Sequence, residues 1–227
     1  MWYLVEVVAP LFSVKELDVY QVATSMPLPL PGTVVGAIGA AMGRAGRCRG
    51  MECLEEARRR VRFARAAASS GLVKSPVILR RLRGVLEKGA LPASAEAFVE
   101  FSDAMSREYV FTWRLLLLVG GDVEKEDLYL IDRLGDSESL VAVVDVAEVE
   151  PRECEGRVNV VVKRHVARGG DYVLVRGLDE RGSESWFAAP LKMEGQLYTT
   201  GAVEVDGPIK CVESGGRRVV FPGGNGW

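Results

Sequence analysis

The apolar run Trp2–Val8 is broken only by Glu6 and closed by Pro10, which predicts a buried strand. Between Pro27 and Pro31 proline alternates with leucine. Three N–H donors are lost, and the chain stays extended up to a helix start with Thr33 as N-cap. That helix runs to about Arg44. It puts Val34, Ile38, Ala41 and Met42 on a core-facing stripe, and Gly36, Gly39, Ala40 and Gly43 on a second stripe almost free of side chains. Glu52–Arg60 consists of helix formers, and Val61–Ala68 has the alternation of a strand. Residues 69–108 carry turn signals at Ser70-Gly71, Ser75-Pro76, Gly89 and Pro92 with no sustained period, so they read as a weakly ordered excursion, functional or disordered. Tyr109–Val119 predicts a strand, Glu124–Leu134 a helix with Leu128, Ile131 and Leu134 on one face, Gly135-Asp136-Ser137 a turn, and Leu140–Val149 a further strand.

The order strand, helix, strand, excursion, strand, helix, strand describes a ferredoxin-like unit over residues 1–150, with an arm at about 69–108. Beyond Pro151 short strands are expected at Arg157–Val166, Tyr172–Arg176, Trp186–Ala188, Gln196–Val205 and Arg217–Phe221, separated by glycine-rich turns. The expected class is α+β: a ferredoxin-like N-terminal domain and a small all-β domain over residues 151–227.

With 227 residues, 48% of them apolar, the chain can bury a real core. A net charge of −2 hides an asymmetry, because thirteen Lys and Arg between Arg44 and Lys88 face only four Glu. A basic stretch in an otherwise acidic chain suggests one polyanion-facing surface. Solvated pairs such as Glu55–Arg59 and Glu56–Arg60 explain the middle of it, but not Arg80-Arg81-Leu82-Arg83. Cys48, Cys53, Cys154 and Cys211 make neither a disulfide framework nor a convincing metal set beside a single histidine. No secretory signal or membrane span is legible, so a soluble cytoplasmic protein is expected. The scarcity of Asn and Gln beside abundant Arg, Glu and Val points to a heat-adapted host.

Interior helical glycines each cost about 1 kcal/mol relative to alanine, so something should pack hard against the bare stripe. Two readings stand: a crossing helix or sheet, or a nucleic-acid or protein backbone laid over the helix start. The sequence speaks against phosphate-loop nucleotide binding, because no Gly-x-x-x-x-Gly-Lys-Ser/Thr appears and Gly36-Ala37-Ile38-Gly39 lacks the nearby lysine. Asp132/Asp136 and Glu124/Glu126 are ordinary solvated charge. Trp186-Phe187 and Tyr20 are candidates for base stacking, although strand aromatics more commonly fill cores.

Three blocks carry a resemblance when taken in order: Pro27-Leu28-Pro29-Leu30-Pro31-Gly32-Thr33-Val34-Val35-Gly36, Arg107-Glu108-Tyr109-Val110, and Arg133-Leu134-Gly135-Asp136-Ser137-Glu138. Together they resemble the RAMP superfamily of CRISPR-associated proteins, and within it the family numbered five among the Cas proteins, in its archaeal type I-A form. The resemblance implies a subunit that caps the 5′ handle of a guide RNA in a Cascade-like complex. It also implies an arm, between the second and third strands, that contacts a backbone subunit and helps hold the guide. The large subunit is a further implied partner, and target DNA is met only indirectly. No cofactor, metal or membrane is implied.

On this reading Gly32, Thr33 and Gly36 at the helix opening, with Gly135 and Ser137 in the turn, grip the handle. Arg44 and Arg47 stand nearby, and the arm cations Lys74, Arg80, Arg81 and Arg83 neutralise phosphates. Lys163, Arg164 and His165 are a further phosphate contact, and Tyr20 a stacking residue. One branch of the family cleaves precursor RNA without metal, and Lys163-Arg164-His165 suits such chemistry. The resemblance places that branch's tyrosine where this chain has Met26, a thioether that can carry no catalytic proton. A non-catalytic subunit is therefore expected. An endoribonuclease and an unrelated αβ ligand-binding module are the alternatives.

Overall fold

The computed structural model describes residues 1–17 and 23–224; Tyr20 and the end of the glycine-rich tail, Asn225–Trp227, lie outside the described residues. The first part of the chain forms β1 (Trp2–Val8), β2 (Leu11–Phe12), α1 (Pro31–Arg44), α2 (Met51–Arg60), β3 (Val61–Ala68), β4 (Leu72–Arg81), α3 (Arg83–Lys88) and α4 (Ala95–Phe101). Then come β5 (Asp103–Phe111), β6 (Arg114–Gly121), α5 (Lys125–Tyr129) and β7 (Ala142–Glu148). The remainder is β8 (Arg152–Glu153), β9 (Val162–Lys163), a 3₁₀ turn (Arg164–Val166), β10 (Ala167–Gly170), β11 (Val173–Leu178) and β12 (Glu184–Ala189). It ends with β13 (Leu191–Glu194), β14 (Leu197–Thr200), β15 (Val203–Val205), β16 (Ile209–Ser214) and β17 (Arg217–Pro222).

The central sheet has strand order β3-β6-β1-β7, all pairs antiparallel. Its middle strands are buried on both faces, which explains the near-continuous apolar runs. Tyr3, Val5, Val7, Leu115, Leu117 and Val119 face the core beneath α1. Leu4, Leu116 and Leu118 face a second core built with Val158, Val160, Val219 and Phe221 from the C-terminal strands. The Trp2, Phe63 and Phe221 rings meet in that second core at centroid separations of 5.2, 5.3 and 5.4 Å. A further sheet, β13-β14-β4-β5-β2, combines strands from both ends of the sequence.

Several elements differ from expectation. α1 starts at Pro31, not after Thr33: the Leu30 carbonyl accepts from Thr33 N and Val34 N at 2.9 and 3.1 Å, and Leu30, not Thr33, is the N-cap residue. Proline suits a first helical position because its missing N–H would have had no intrahelical partner. Residues 69–108 are not irregular; β4 and β5 pair from Val73↔Phe111 to Arg81↔Asp103 as a long ribbon closed by α3 and α4. The expected strand Tyr109–Val119 is two strands, β5 and β6, interrupted at Thr112-Trp113, and the expected helix Glu124–Leu134 is only α5. Arg157–Val166 yields only the short β9 and the 3₁₀ turn, and Gln196–Val205 is split between β14 and β15. Cys48 and Cys53 are disulfide-bonded across the α1–α2 connection, a local bridge that the sequence reading did not expect, and Cys154 and Cys211 are free. Among the described residues no helix is long and apolar enough to cross a membrane.

Candidate nucleic-acid interface

The bare stripe of α1 divides by neighbour. A Cβ on Gly39 would lie 3.0 Å from the Cys53 carbonyl oxygen, and one on Gly43 3.3 Å from Cys53 Sγ, so these two glycines let α2 cross closely. A Cβ on Gly36 would meet nothing within 4 Å. Gly36, Ala37 and Ala40 instead floor a cavity of about 630 Å³, walled by Ser13–Lys15, Thr33, Arg44, Arg107 and the loop Arg133–Ser137.

That loop is fixed by polar contacts. Gly135 has φ of +108°, and a Cβ there would sit 2.3 Å from the Ser13 carbonyl oxygen, so only glycine fits. Asp136 N donates to the same Ser13 oxygen at 3.1 Å, and Ser13 N donates to Ser139 Oγ at 2.8 Å. The Asp136 carboxylate accepts from the Ser139 hydroxyl and the Arg107 guanidinium, and from the Tyr109 hydroxyl at 3.3 Å. Burial would lower the Arg107 pKa, but the Asp136 charge and hydrogen bond outweigh it and the net shift is upward. Burial, then the Asp136 charge, raises the Tyr109 pKa, which keeps its hydroxyl a donor.

Four cations line the cavity: Lys15, Arg44, Arg107 and Arg133. Arg44 pairs with Asp132 and donates to the Leu130 carbonyl at 3.2 Å. Of the residues singled out from sequence, Thr33, Gly36, Arg44, Gly135 and Ser137 converge here. Lys15, Arg107 and Arg133 were not singled out. Arg107 and Arg133 stand inside two of the blocks that carried the resemblance, and that was the available signal.

The other candidates lie elsewhere. A Cβ on Gly32 would be 2.8 Å from Leu178 Cβ, so this glycine packs against the end of β11 and not against a ligand. Arg47 is 2.7 Å from the buried carboxylate of Asp127, and that hydrogen bond raises its pKa. Lys74 is 2.7 Å from Glu108, Arg81 2.9 Å from Glu138 and Arg83 2.9 Å from Glu87. Arg80 is exposed on the ribbon without a carboxylate partner among the described residues. Lys163 pairs with Asp179 at 3.1 Å, Arg164 donates to the Ala167 carbonyl, and His165 is exposed; none of these three lines the cavity.

Sheet, ribbon and cleft together define a mixed α/β protein with a cationic cavity over a bare helix face. No family model matches the chain. It is 50% identical over 228 residues to the CRISPR-associated protein Cas5 of Thermoproteus tenax, covering 100% of this chain and 99% of that protein. It is 31% identical over 161 residues to the CRISPR-associated protein Cas5 of Methanocaldococcus jannaschii, 63% of this chain and 62% of that one. In fold it is similar to a CRISPR protein from Archaeoglobus fulgidus, with a TM-score of 0.58, 19% identity, and 98% and 99% of the two chains covered. The chain belongs to the Cas5 family of CRISPR-associated proteins.

Proposed function

We propose that this Cas5 family member is a non-catalytic subunit that binds the 5′ handle of a CRISPR guide RNA in a type I, Cascade-like complex of the archaeal I-A kind. The observation that carries the reading is the convergence of Lys15, Arg44, Arg107 and Arg133 around Gly36 and Ala40. Cations neutralise phosphates and fix the register of a bound strand. A floor with nothing larger than a methyl group lets a nucleotide approach the helix main chain. The body is read as ferredoxin-like, with β1, β3, β6 and β7 as its four strands and the β4–β5 ribbon as the arm between the second and third. The arm docks on a backbone subunit, and residues 151–227 form the β-rich unit behind the sheet. Two placements support a non-catalytic role: Met26 is 3% exposed in the core, and His165 stands apart from the cavity.

The test is titration of the purified protein with a short fluorescein-labelled single-stranded RNA carrying the repeat-derived 5′ end of the guide. Arg107→Gln with Arg133→Gln should weaken binding about tenfold or more and flatten the log–log salt slope by about 0.7 per lost phosphate contact. Unchanged affinity and slope would overturn the reading. Repeat RNA incubated with the protein in EDTA should stay intact; a discrete, His165-dependent cut would make the protein an endoribonuclease instead.

A further inference from the structure

Two half-exposed carboxylates of the Asp132–Glu138 segment each bridge a pair of arginines drawn from different elements. Asp132 Oδ1 pairs with Arg44 at the end of α1 and lies 3.9 Å from Arg133 Nε. Glu138 Oε1 lies 2.9 Å from Arg81 Nη2 on β4, and its Oε2 is 3.8 Å from Arg107 Nη1 on β5. Their side chains are 44% and 42% exposed, so each carboxylate stands at the surface, although Asp132 Oδ1, the oxygen facing the two arginines, is itself shielded from water. Asp136 differs. At 17% exposed, and accepting from Tyr109 and Ser139 besides Arg107, it belongs to the scaffold of the loop. Arg107 Nε is buried with no acceptor among the described residues, so this guanidinium retains an unused donor.

A carboxylate that bridges two guanidinium groups, through one oxygen at Asp132 and through both at Glu138, marks a place where a negative charge is favoured. A phosphodiester has the same charge and oxygen pair, and arginine forks bind either one bidentately. Ion pairs between partly exposed side chains, such as Arg44–Asp132, Arg133–Asp132 and Arg81–Glu138, hold weakly and exchange readily; Arg107 is more buried, and its contact with Glu138 is the longer one at 3.8 Å. We propose that Arg44/Arg133 and Arg81/Arg107 are two phosphodiester subsites for single-stranded RNA, filled in the free protein by Asp132 and Glu138. Binding then exchanges each carboxylate for a backbone phosphate. The first subsite sits over the end of α1; the second lies at the cavity's edge and leads the strand towards the arm. This inference rests on the guide-RNA reading above and adds where the phosphates lie and what they displace.

The experiment compares wild type, Asp132→Asn, Glu138→Gln and the double variant in the same RNA titration at several salt concentrations. Glu126→Gln is the control: it makes the same charge change in α5, just before that segment, at an exposed carboxylate that pairs with no arginine of the site. Removing the bridging carboxylate from each arginine pair, with Arg107 still held by Asp136, should tighten binding roughly two- to fivefold and steepen the salt dependence, while Glu126→Gln changes neither. If wild type binds the RNA but the Asp132 and Glu138 variants bind no tighter than Glu126→Gln, the two subsites are wrong and the guide-RNA reading stands. Should wild type itself not bind, the reading and the inference fall together. Thermal melts check that each variant is folded. Asp132→Ser and Glu138→Ala replace any that is not, with the same expected tightening.

Discussion

Gly36 and Gly39 lie three residues apart on α1, and helical periodicity assigns them one stripe, yet opposite consequences follow from giving each a methyl group. At Gly39 the new Cβ would press on the Cys53 carbonyl at 3.0 Å, a backbone atom held by α2. At Gly36 it would enter the cavity and touch nothing within 4 Å. Gly36→Ala should therefore gain about 1 kcal/mol of stability from helix propensity alone. The same methyl narrows the floor on which a nucleotide would lie, so RNA affinity should fall several-fold. A melt and a titration on one preparation check both signs; a variant that is more stable and binds as well as wild type would remove the bare floor from the binding site. Sequence could show that α1 is bare but not which arc its neighbour covers, because that depends on where α2 returns after the Cys48–Cys53 bridge.

The turn between β11 and β12 shows how one element sets the position of another. Leu178 meets Gly32 at the start of α1, and the following Asp179 holds the turn by accepting from Arg181 N at 3.0 Å, Ser183 N at 2.9 Å and Lys163 Nζ at 3.1 Å. Burial alone would raise the Asp179 pKa; the Ser183 N–H, Lys163 and the Arg181 N–H outweigh it, and the net shift is downward. A depressed folded-state pKa means stabilisation that is fully present above the ordinary carboxylate range and lost as pH falls through the depressed value. Asp179→Asn should thus cost about 2 kcal/mol near neutral pH, roughly 4–8 °C in melting temperature, and the gap should close on acidification below that range. A gap independent of pH would mean that the charge of Asp179 is not what holds the turn. None of this was legible beforehand, since Asp179-Glu180-Arg181-Gly182 reads as any polar turn. The ribbon was missed for a related reason. Beyond Leu72 and Val73, the residues that pair with β14, β4 is open on one side, so it tolerates Pro76 and leaves Ile78 and Arg80 exposed. A half-exposed edge strand needs neither the apolar run that identified β1 nor the alternation that identified β3.

At the scale of the whole molecule, the two ends of the sequence are joined by buried charge as well as by apolar packing. Glu6, 2% exposed in the middle of β1, pairs with Arg114 of β6 and Arg217 of β17. Arg65 of β3 is 1% exposed and pairs with Glu180 in the β11–β12 turn, while its guanidinium lies 4.8 Å from the Phe63 ring. Burial pulls the Arg65 pKa down despite the opposing Glu180 charge, which marks it as a group that needs its partner. The interruption of an apolar strand by Glu6 was visible in the sequence, as was the strand that holds Leu115–Leu118, whose residues the structure covers on both faces of the sheet. That the cover comes from Val158–Phe221 is a long-range fact, and the compositional change at Pro151 does not encode it. Removing one partner of a buried pair leaves an uncompensated charge, whereas replacing both with apolar groups of similar size is close to neutral. Glu180→Ala should therefore cost about 3–5 kcal/mol, and Arg65→Met with Glu180→Leu should recover most of that. Because both ends of the chain share one core, the loss should move a single unfolding transition in urea, with sheet and β-rich strands melting together. Two separated transitions, or a Glu180→Ala variant as stable as wild type, would show that the C-terminal strands fold without help from the sheet they cover.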